Sequence, residues 1–259
     1  MINLSRNHSL TVTALVALAL PVLLTVGGCG TTSVKTVTTS SKSSAETGDK
    51  GGSAPAASDA TGSLSNLPEA LRHDAAAYYG VGNPEPIDME IVTSTETGIN
   101  SGTQTMRLKE TKDGVAIFAV ERTGNLAAQL GAMEVRVEKD GVYVHSSGIA
   151  IVGDRDLELP ADLAPGKTWS TNTRVDKEGQ QMDLKNTFKV EGIEPVSTKR
   201  AKYPEALLVS SVGEGTLNKD RVRIETRSWF VKGRGNIKTE MRLIDAANKA
   251  RTISIEESN

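Results

Sequence analysis

Val135-Arg136-Val137-Glu138-Lys139-Asp140-Gly141-Val142-Tyr143-Val144 decides the fold class. Apolar and polar side chains alternate on both sides of an Asp-Gly pair, which is the period of two half-buried strands joined by a tight turn. Asp-Gly supplies positive φ at little steric cost. The same arrangement occurs upstream, where Lys112-Asp113-Gly114 stands between Met106-Arg107-Leu108 and the run Val115 to Val120. Met89-Glu90-Ile91, Val222-Arg223-Ile224, Ile237 to Met241 and Ile253-Ser254-Ile255 alternate likewise, and Thr168 to Val175, Thr187 to Glu191 and Ala206 to Val212 extend the series. The sum is about ten strands. One helical candidate precedes them: Asn66-Leu67-Pro68-Glu69 offers an N-cap, an early proline and a glutamate three residues on, with Leu71, Ala75 and Tyr78 or Tyr79 along one face. Gly80 and Gly82 stop it.

No second set of helices is present to build a parallel sheet. The expectation is therefore a mainly β fold, an antiparallel curved sheet of half-barrel or barrel-like form with one N-terminal helix. A β-sandwich writes the same period and stands as the alternative. A sheet of that size must curl, close or split to protect its edges. Residues 87 to 152 and 168 to 256 read as two meanders joined by an Asp-rich link at 153 to 166.

Outward from this body the composition changes. Gly30 to Ser63 holds Ser, Thr, Gly, Ala and a few Lys, without an aromatic, Leu or Ile. Such a segment cannot bury enough apolar area to offset its ordering entropy, and it reads as a linker with a root-mean-square reach of roughly 30 Å. Before it, Leu10 to Val26 carries no charge, and Arg6 supplies the positive end of an export signal. Thr25-Val26-Gly27-Gly28-Cys29 follows, and it resembles the lipobox of bacterial lipoproteins. That resemblance implies cleavage after Gly28 and lipidation of Cys29. A retained transmembrane anchor is the alternative, but the apolar run is short for a bilayer of about 30 Å and an anchor needs no cysteine or glycine pair at its end. The expected organisation is a signal peptide over 1–28, a lipidated cysteine and linker over 29–63, and an antiparallel β domain over 64–259. Gly30 in place of Asp implies, by the sorting rule of enteric bacteria, the outer membrane where the organism has one and otherwise the outer face of the plasma membrane.

Leu163-Ala164-Pro165-Gly166-Lys167-Thr168-Trp169 resembles a pattern of uncharacterised bacterial secreted proteins and lipoproteins, in which a turn is followed by a tryptophan that opens a strand. Val190-Glu191-Gly192, Ala206-Leu207-Leu208-Val209, Trp229-Phe230 and Gly233-Arg234-Gly235-Asn236-Ile237-Lys238 continue it. Lys202-Tyr203-Pro204-Glu205 replaces its usual Pro-Ala-Gly-aromatic turn. More distantly, a lipoprotein with one early helix and many antiparallel strands is similar to the LolA/LolB-like half-barrels, whose curved sheet encloses a cavity for acyl chains. The resemblance implies a fold and a compartment, and no activity.

The chemical candidates are few. With 30 basic against 32 acidic residues and a formal charge of −2, the chain lacks the excess positive charge that nucleic acid requires. A single cysteine excludes an intramolecular disulfide and a multi-thiolate metal site. His73 and His145 stand at no metal-pair spacing, and no catalytic Gly-x-Ser-x-Gly or His-Glu-x-x-His is present. Gly153-Asp154-Arg155-Asp156-Leu157-Glu158 alternates carboxylates, but Leu159 and Ser170 occupy the positions where a calcium loop needs glycine and glutamate, so it reads as a solvated loop. Gly213-Glu214-Gly215 and Gly233-Arg234-Gly235 read as hairpin turns. Arg221, Arg223 and Arg227 share one strand face, read as solvated or, alternatively, as a contact for anionic headgroups or a cell-wall polymer. Trp169 and Trp229 read as core pins. Together these features point to a non-enzymatic, membrane-tethered lipoprotein without cofactor or metal. Its expected partner is the membrane, through Cys29, and its candidate ligand is a lipid or other hydrophobic molecule. The alternative is a structural or interaction protein of the cell envelope with a filled core. A void of several hundred Å³ separates the first from the second.

Overall fold

The computed structural model describes residues 64–94, 100–146, 156–177 and 180–258. Gly28, Cys29, the linker and residues 153–155 of the Asp-rich link lie outside the described residues. The strands are β1 (Ile87–Thr93), β2 (Asn100–Lys112), β3 (Val115–Arg122), β4 (Met133–Glu138), β5 (Gly141–Ser146), β6 (Asp156–Pro160), β7 (Thr168–Lys177), β8 (Gln180–Ser197), β9 (Lys202–Leu217), β10 (Asp220–Val231), β11 (Gly235–Ile244) and β12 (Ala250–Glu257). A 3-10 turn at Glu69–Leu71 and helix α1 (Asp74–Tyr78) precede β1, and helix α2 (Gly124–Leu130) joins β3 to β4. Among the described residues no helix is long and apolar enough to cross a membrane.

All twelve strands belong to one sheet in the order β6-β5-β4-β3-β2-β1-β12-β11-β10-β9-β8-β7. Two meanders of six strands meet where β1 pairs antiparallel with β12, Met89 opposite Glu257 and Ile91 opposite Ile255. β6 and β7 thus end the order, and side chains rather than a backbone ladder join them. Trp169 Nε1 donates to Leu157 O (3.0 Å), and Thr173 Oγ1 donates to Asp156 Oδ2 (3.1 Å). The result is a nearly closed antiparallel barrel, a single sheet rather than the two layers of a sandwich.

The alternation of the sequence becomes the inside and outside of this barrel. On β3, Ala116, Phe118 and Val120 are buried, and Met133, Val135 and Val137 of β4 continue the same core. Phe188 and Phe230 are among the largest fully buried side chains, each contributing about 1.5–3 kcal/mol by leaving water. The N-terminal segment fills one end of the barrel. Leu64, Leu67, Leu71, Ala75, Ala76 and Val81 join strand residues from both meanders in one cluster. Leu126 and Leu130 of α2 pack on Ile87, Met89, Ile91 and Ile255.

Several expectations need correction. The single helix over 66–79 is broken, because Arg72 turns its guanidinium back onto the carbonyls of Leu67 (2.7 Å) and Ser65 (2.8 Å) and His73, rather than Asn66, caps α1 by accepting from Ala76 N (3.2 Å). The hairpin at 139–141 is present, but its turn residues are Lys139 and Asp140, and Gly141 already pairs with Glu138 in the ladder. Asp113 and Gly114 do take positive φ, at 53° and 77°. Gly213-Glu214-Gly215 lies inside β9 and is no turn; the β9–β10 turn is Asn218-Lys219, both at positive φ. Asp156 to Pro160 is strand, not solvated loop, and Glu158 is only 4% exposed.

Candidate functional site

A narrow cleft of about 90 Å³ runs inside the barrel. Met89, Met106, Leu126, Met133, Phe230 and Ile255 form much of its apolar wall, and Tyr79, Arg122 and Glu158 bring polar groups to it. Asn83, Glu85 and Arg234 line it beside the β10–β11 turn.

Each polar group has a local cause. Tyr79 ends α1, and Gly80 (φ 75°) follows it in a conformation that favours glycine. A Cβ on Gly80 would stand 2.7 Å from backbone atoms of Arg234 and Gly235, so glycine is what lets the segment dock on the β10–β11 turn. Gly233 N donates to Ala77 O (2.8 Å) across the same junction. The Tyr79 ring then stacks on Phe230, with centroids 6.3 Å apart.

Arg122 closes β3 at an inward position of the alternation that buries Phe118 and Val120. Its Nε donates to Gln104 Oε1 (2.9 Å), and its NH1 donates to Leu130 O (3.3 Å) and Gly131 O (3.0 Å), carbonyls at the end of α2. Its NH2 faces Met133 Sδ at 3.8 Å, a weak acceptor. No carboxylate pairs with it among the described residues. Desolvation pushes its pKa down to about 10, so it remains a cation at neutral pH.

Glu158 is buried on β6, and burial first, with the nearby Asp156 second, pushes its carboxyl up to about 8. At pH 7 it therefore holds its proton and can donate a hydrogen bond. Burial likewise raises the Tyr79 hydroxyl, with Glu158 adding to the shift and Arg122 opposing it, which places the phenol under the influence of both groups. No hydrogen bond is made by the Glu158 carboxyl or the Tyr79 hydroxyl among the described residues.

The residues singled out in the sequence are distributed elsewhere. Arg221, Arg223 and Arg227 do share an exposed face of β10. Arg223 pairs with Glu214 and with Glu225 (2.9 Å), and Arg227 pairs with Glu194 (3.2 Å) and stacks 4.8 Å over Trp229. Arg221 has no ion pair among the described residues. Trp229 is 4% exposed in a third cluster with Leu208, Val231 and Ile237, while Trp169 stacks on Phe188 at 5.1 Å. His73 Nε2 donates to Glu138 O (2.8 Å) and His145 is exposed on β5. Arg122 escaped the sequence reading, although extending the Ala116, Phe118, Val120 register by two residues marks it as inward.

The molecule thus belongs to the class of near-closed antiparallel barrels with an internal cleft of mixed polarity. No protein-family model and no curated protein matches the chain. Among solved structures it is similar to a protein from Bacteroides fragilis assigned as exported and of YmcC-like fold, at 13% identity and TM-score 0.47 over 68% of this chain and 96% of that one. It is also similar to a protein from Parabacteroides distasonis assigned as a lipoprotein, at 9% identity and TM-score 0.46 over 66% and 93%. The hypothetical lipoprotein YmcC from Escherichia coli aligns at 11% identity and TM-score 0.34 over 68% and 86%.

Proposed function

We propose that this chain is a non-enzymatic lipoprotein of the bacterial envelope, tethered through Cys29, whose barrel binds a small hydrophobic ligand in its interior cleft. The observation that carries the reading is the cleft itself, with apolar walls and polar groups left without partners. Its volume sets the size of the occupant. About 90 Å³ is well under the 300–1,000 Å³ of sites for drug-sized ligands, so a whole diacyl lipid is too large and a short aliphatic molecule fits. Methionine adapts its shape readily, which suits a wall containing Met89, Met106 and Met133. Support for the non-enzymatic part comes from His73, whose Nδ1 caps α1 and whose Nε2 donates to Glu138 O, and from His145, which is exposed on β5 and does not line the cleft.

At about 90 Å³ the cleft falls short of the void of several hundred Å³ expected of a lipid carrier, and this favours a second reading, in which the interior is filled and the barrel works as an interaction module through its outer face. Native mass spectrometry of the full chain purified from envelopes in mild detergent, followed by organic extraction, separates the two. The first reading expects a low-mass apolar adduct released on extraction. A protein mass with only its own acyl chains, and an empty extract, would leave the second. For the tether, Cys29→Ser is expected to leave the signal uncleaved and the chain without acyl mass, whereas cleavage on schedule with unchanged membrane retention would overturn the tether.

A further inference from the structure

We propose that the cleft is a carboxylate site, in which Arg122, Tyr79 and Glu158 hold the anionic end of a short aliphatic monocarboxylate while the methionine-rich wall takes its alkyl end. The inference rests on the small-ligand reading above and adds the chemistry of the ligand's head.

The cleft gathers donors that lack strong acceptors. Arg122 carries five N–H groups. Its Nε and NH1 are engaged by Gln104, Leu130 and Gly131, but NH2 meets only the thioether of Met133, and its charge has no carboxylate partner among the described residues. The Tyr79 hydroxyl and the Glu158 carboxyl line the same cleft without hydrogen bonds, and Glu158 is 96% withdrawn from solvent by its 4% exposure. None of these atoms is sealed in packed protein without a partner, as Arg136 Nε is, so they are open to a molecule entering the cleft, and an apolar occupant would strip them of solvent at a cost. One group satisfies all three: an anion with two acceptor oxygens. A cation would meet Arg122, and a purely apolar molecule would leave every donor unpaired. Phosphate and sulfate fit poorly because most of the surrounding wall is hydrocarbon and thioether.

Protonation strengthens the assignment and gives it a sign. Glu158 is faced by Asp156 on its own strand and by Tyr79 from the N-terminal segment, and Arg122 of β3 acts on the same phenol; Glu85 and Arg234 stand at the cleft beside the β10–β11 turn, and Arg234 is paired with Glu257. Below its pKa, Glu158 donates to the ligand. Above about 8 it becomes a second anion in the same space and opposes binding.

The test is ligand-observed NMR and calorimetry on the full chain in detergent, with sodium butyrate, butyramide and butylammonium chloride as probes. Butyrate is expected to bind about tenfold or more tightly than either of the others at pH 6.5, and to weaken about tenfold by pH 9. Glu158→Gln keeps a donor and cannot ionise, so it is expected to bind butyrate with little change between these pH values. Tyr79→Phe, which breaks no hydrogen bond within the protein, is expected to weaken butyrate about 3- to 10-fold. Arg122→Gln is expected to abolish the preference over butyramide, and Arg122→Lys, which keeps the charge, to restore part of it if the glutamine variant folds poorly. Equal binding of butyrate and butyramide would overturn the carboxylate site while leaving the small-ligand reading standing. Preference for butylammonium would overturn it by making Glu158 the charged partner. No binding of any probe to folded protein would overturn both.

Discussion

Glu257 is the group whose loss the barrel should feel most. It is fully buried at the end of β12, where Arg234 Nε donates to Oε1 at 2.7 Å and Arg234 NH2 donates to the same oxygen. Tyr203 donates its hydroxyl to Oε2, and Arg200 stands 3.6 Å from Oε1. One carboxylate thereby ties the β8–β9 hairpin and the β10–β11 turn to the strand that joins the two meanders. Glu257→Gln keeps the shape and removes the charge, leaving a guanidinium whose side chain is only 14% exposed. Breaking a buried pair in this way costs about 3–5 kcal/mol. Because Arg234 retains some solvent and the amide oxygen still accepts one hydrogen bond, the lower end, about 3 kcal/mol, is the expected loss. For a body of this size that is a fall in Tm of about 6–12 °C. Urea titrations followed by circular dichroism measure it directly. The double variant Glu257→Leu, Arg234→Leu should recover part of the loss, since the most buried guanidinium goes with its carboxylate while Arg200 and the Tyr203 hydroxyl still lose Glu257. A Glu257→Gln midpoint equal to that of the parent would refute the reasoning.

Three further outcomes can be checked on the same protein. Lys219 sits at φ 75° in the β9–β10 turn, so Lys219→Gly should raise stability by about 1 kcal/mol in urea titrations, and a loss would mean the turn is not strained. A Cβ on Gly215 would stand 1.9 Å from Asp183 O, so Gly215→Ala should cost about 1–3 kcal/mol and weaken amide protection in β8 and β9 on hydrogen exchange; an unchanged exchange pattern would contradict that packing. The folded carboxyl of Glu158 titrates higher than an unfolded one, so the native state binds the extra proton and its stability falls as pH rises from about 4.5 to about 8. Glu158→Gln should remove that decline, making the variant the more stable at pH 9 by an amount on the order of a few kcal/mol; parallel pH curves for variant and parent would argue against the burial.

The strands were legible because one face is buried and the other wet, so Val135, Val137, Val142 and Val144 point inward in the register their alternation implies. Helix α2 was not, since seven residues with Leu126 and Leu130 as their buried leucines carry too little periodicity to tell a helical turn from a loop. β6 was missed for a different reason. Asp156 and Glu158 look like solvent-facing acids, and the sequence does not show that β6 places Glu158, buried, at a cleft it shares with Tyr79 and Arg122, residues far from it along the chain. The two glycines at 213 and 215 mark where β8 lies close, with Asn186 Oδ1 and Asp183 O in the space a side chain would take. Of the cleft, Tyr79 was visible only as an apolar face of a helix and Arg122 as the end of a strand. Their convergence depends on Gly80 and Gly235 letting two distant segments touch, a relation no local pattern records.

The place where β6 and β7 meet without a ladder has a protective consequence wherever copies of the molecule are crowded together. A strand border with free amides and carbonyls recruits similar borders from neighbouring copies. Here the two borders look toward each other, latched by the Trp169 indole and the Thr173 hydroxyl. The molecule occupies its own most adhesive surface, and crowded copies are left with little backbone to polymerise through.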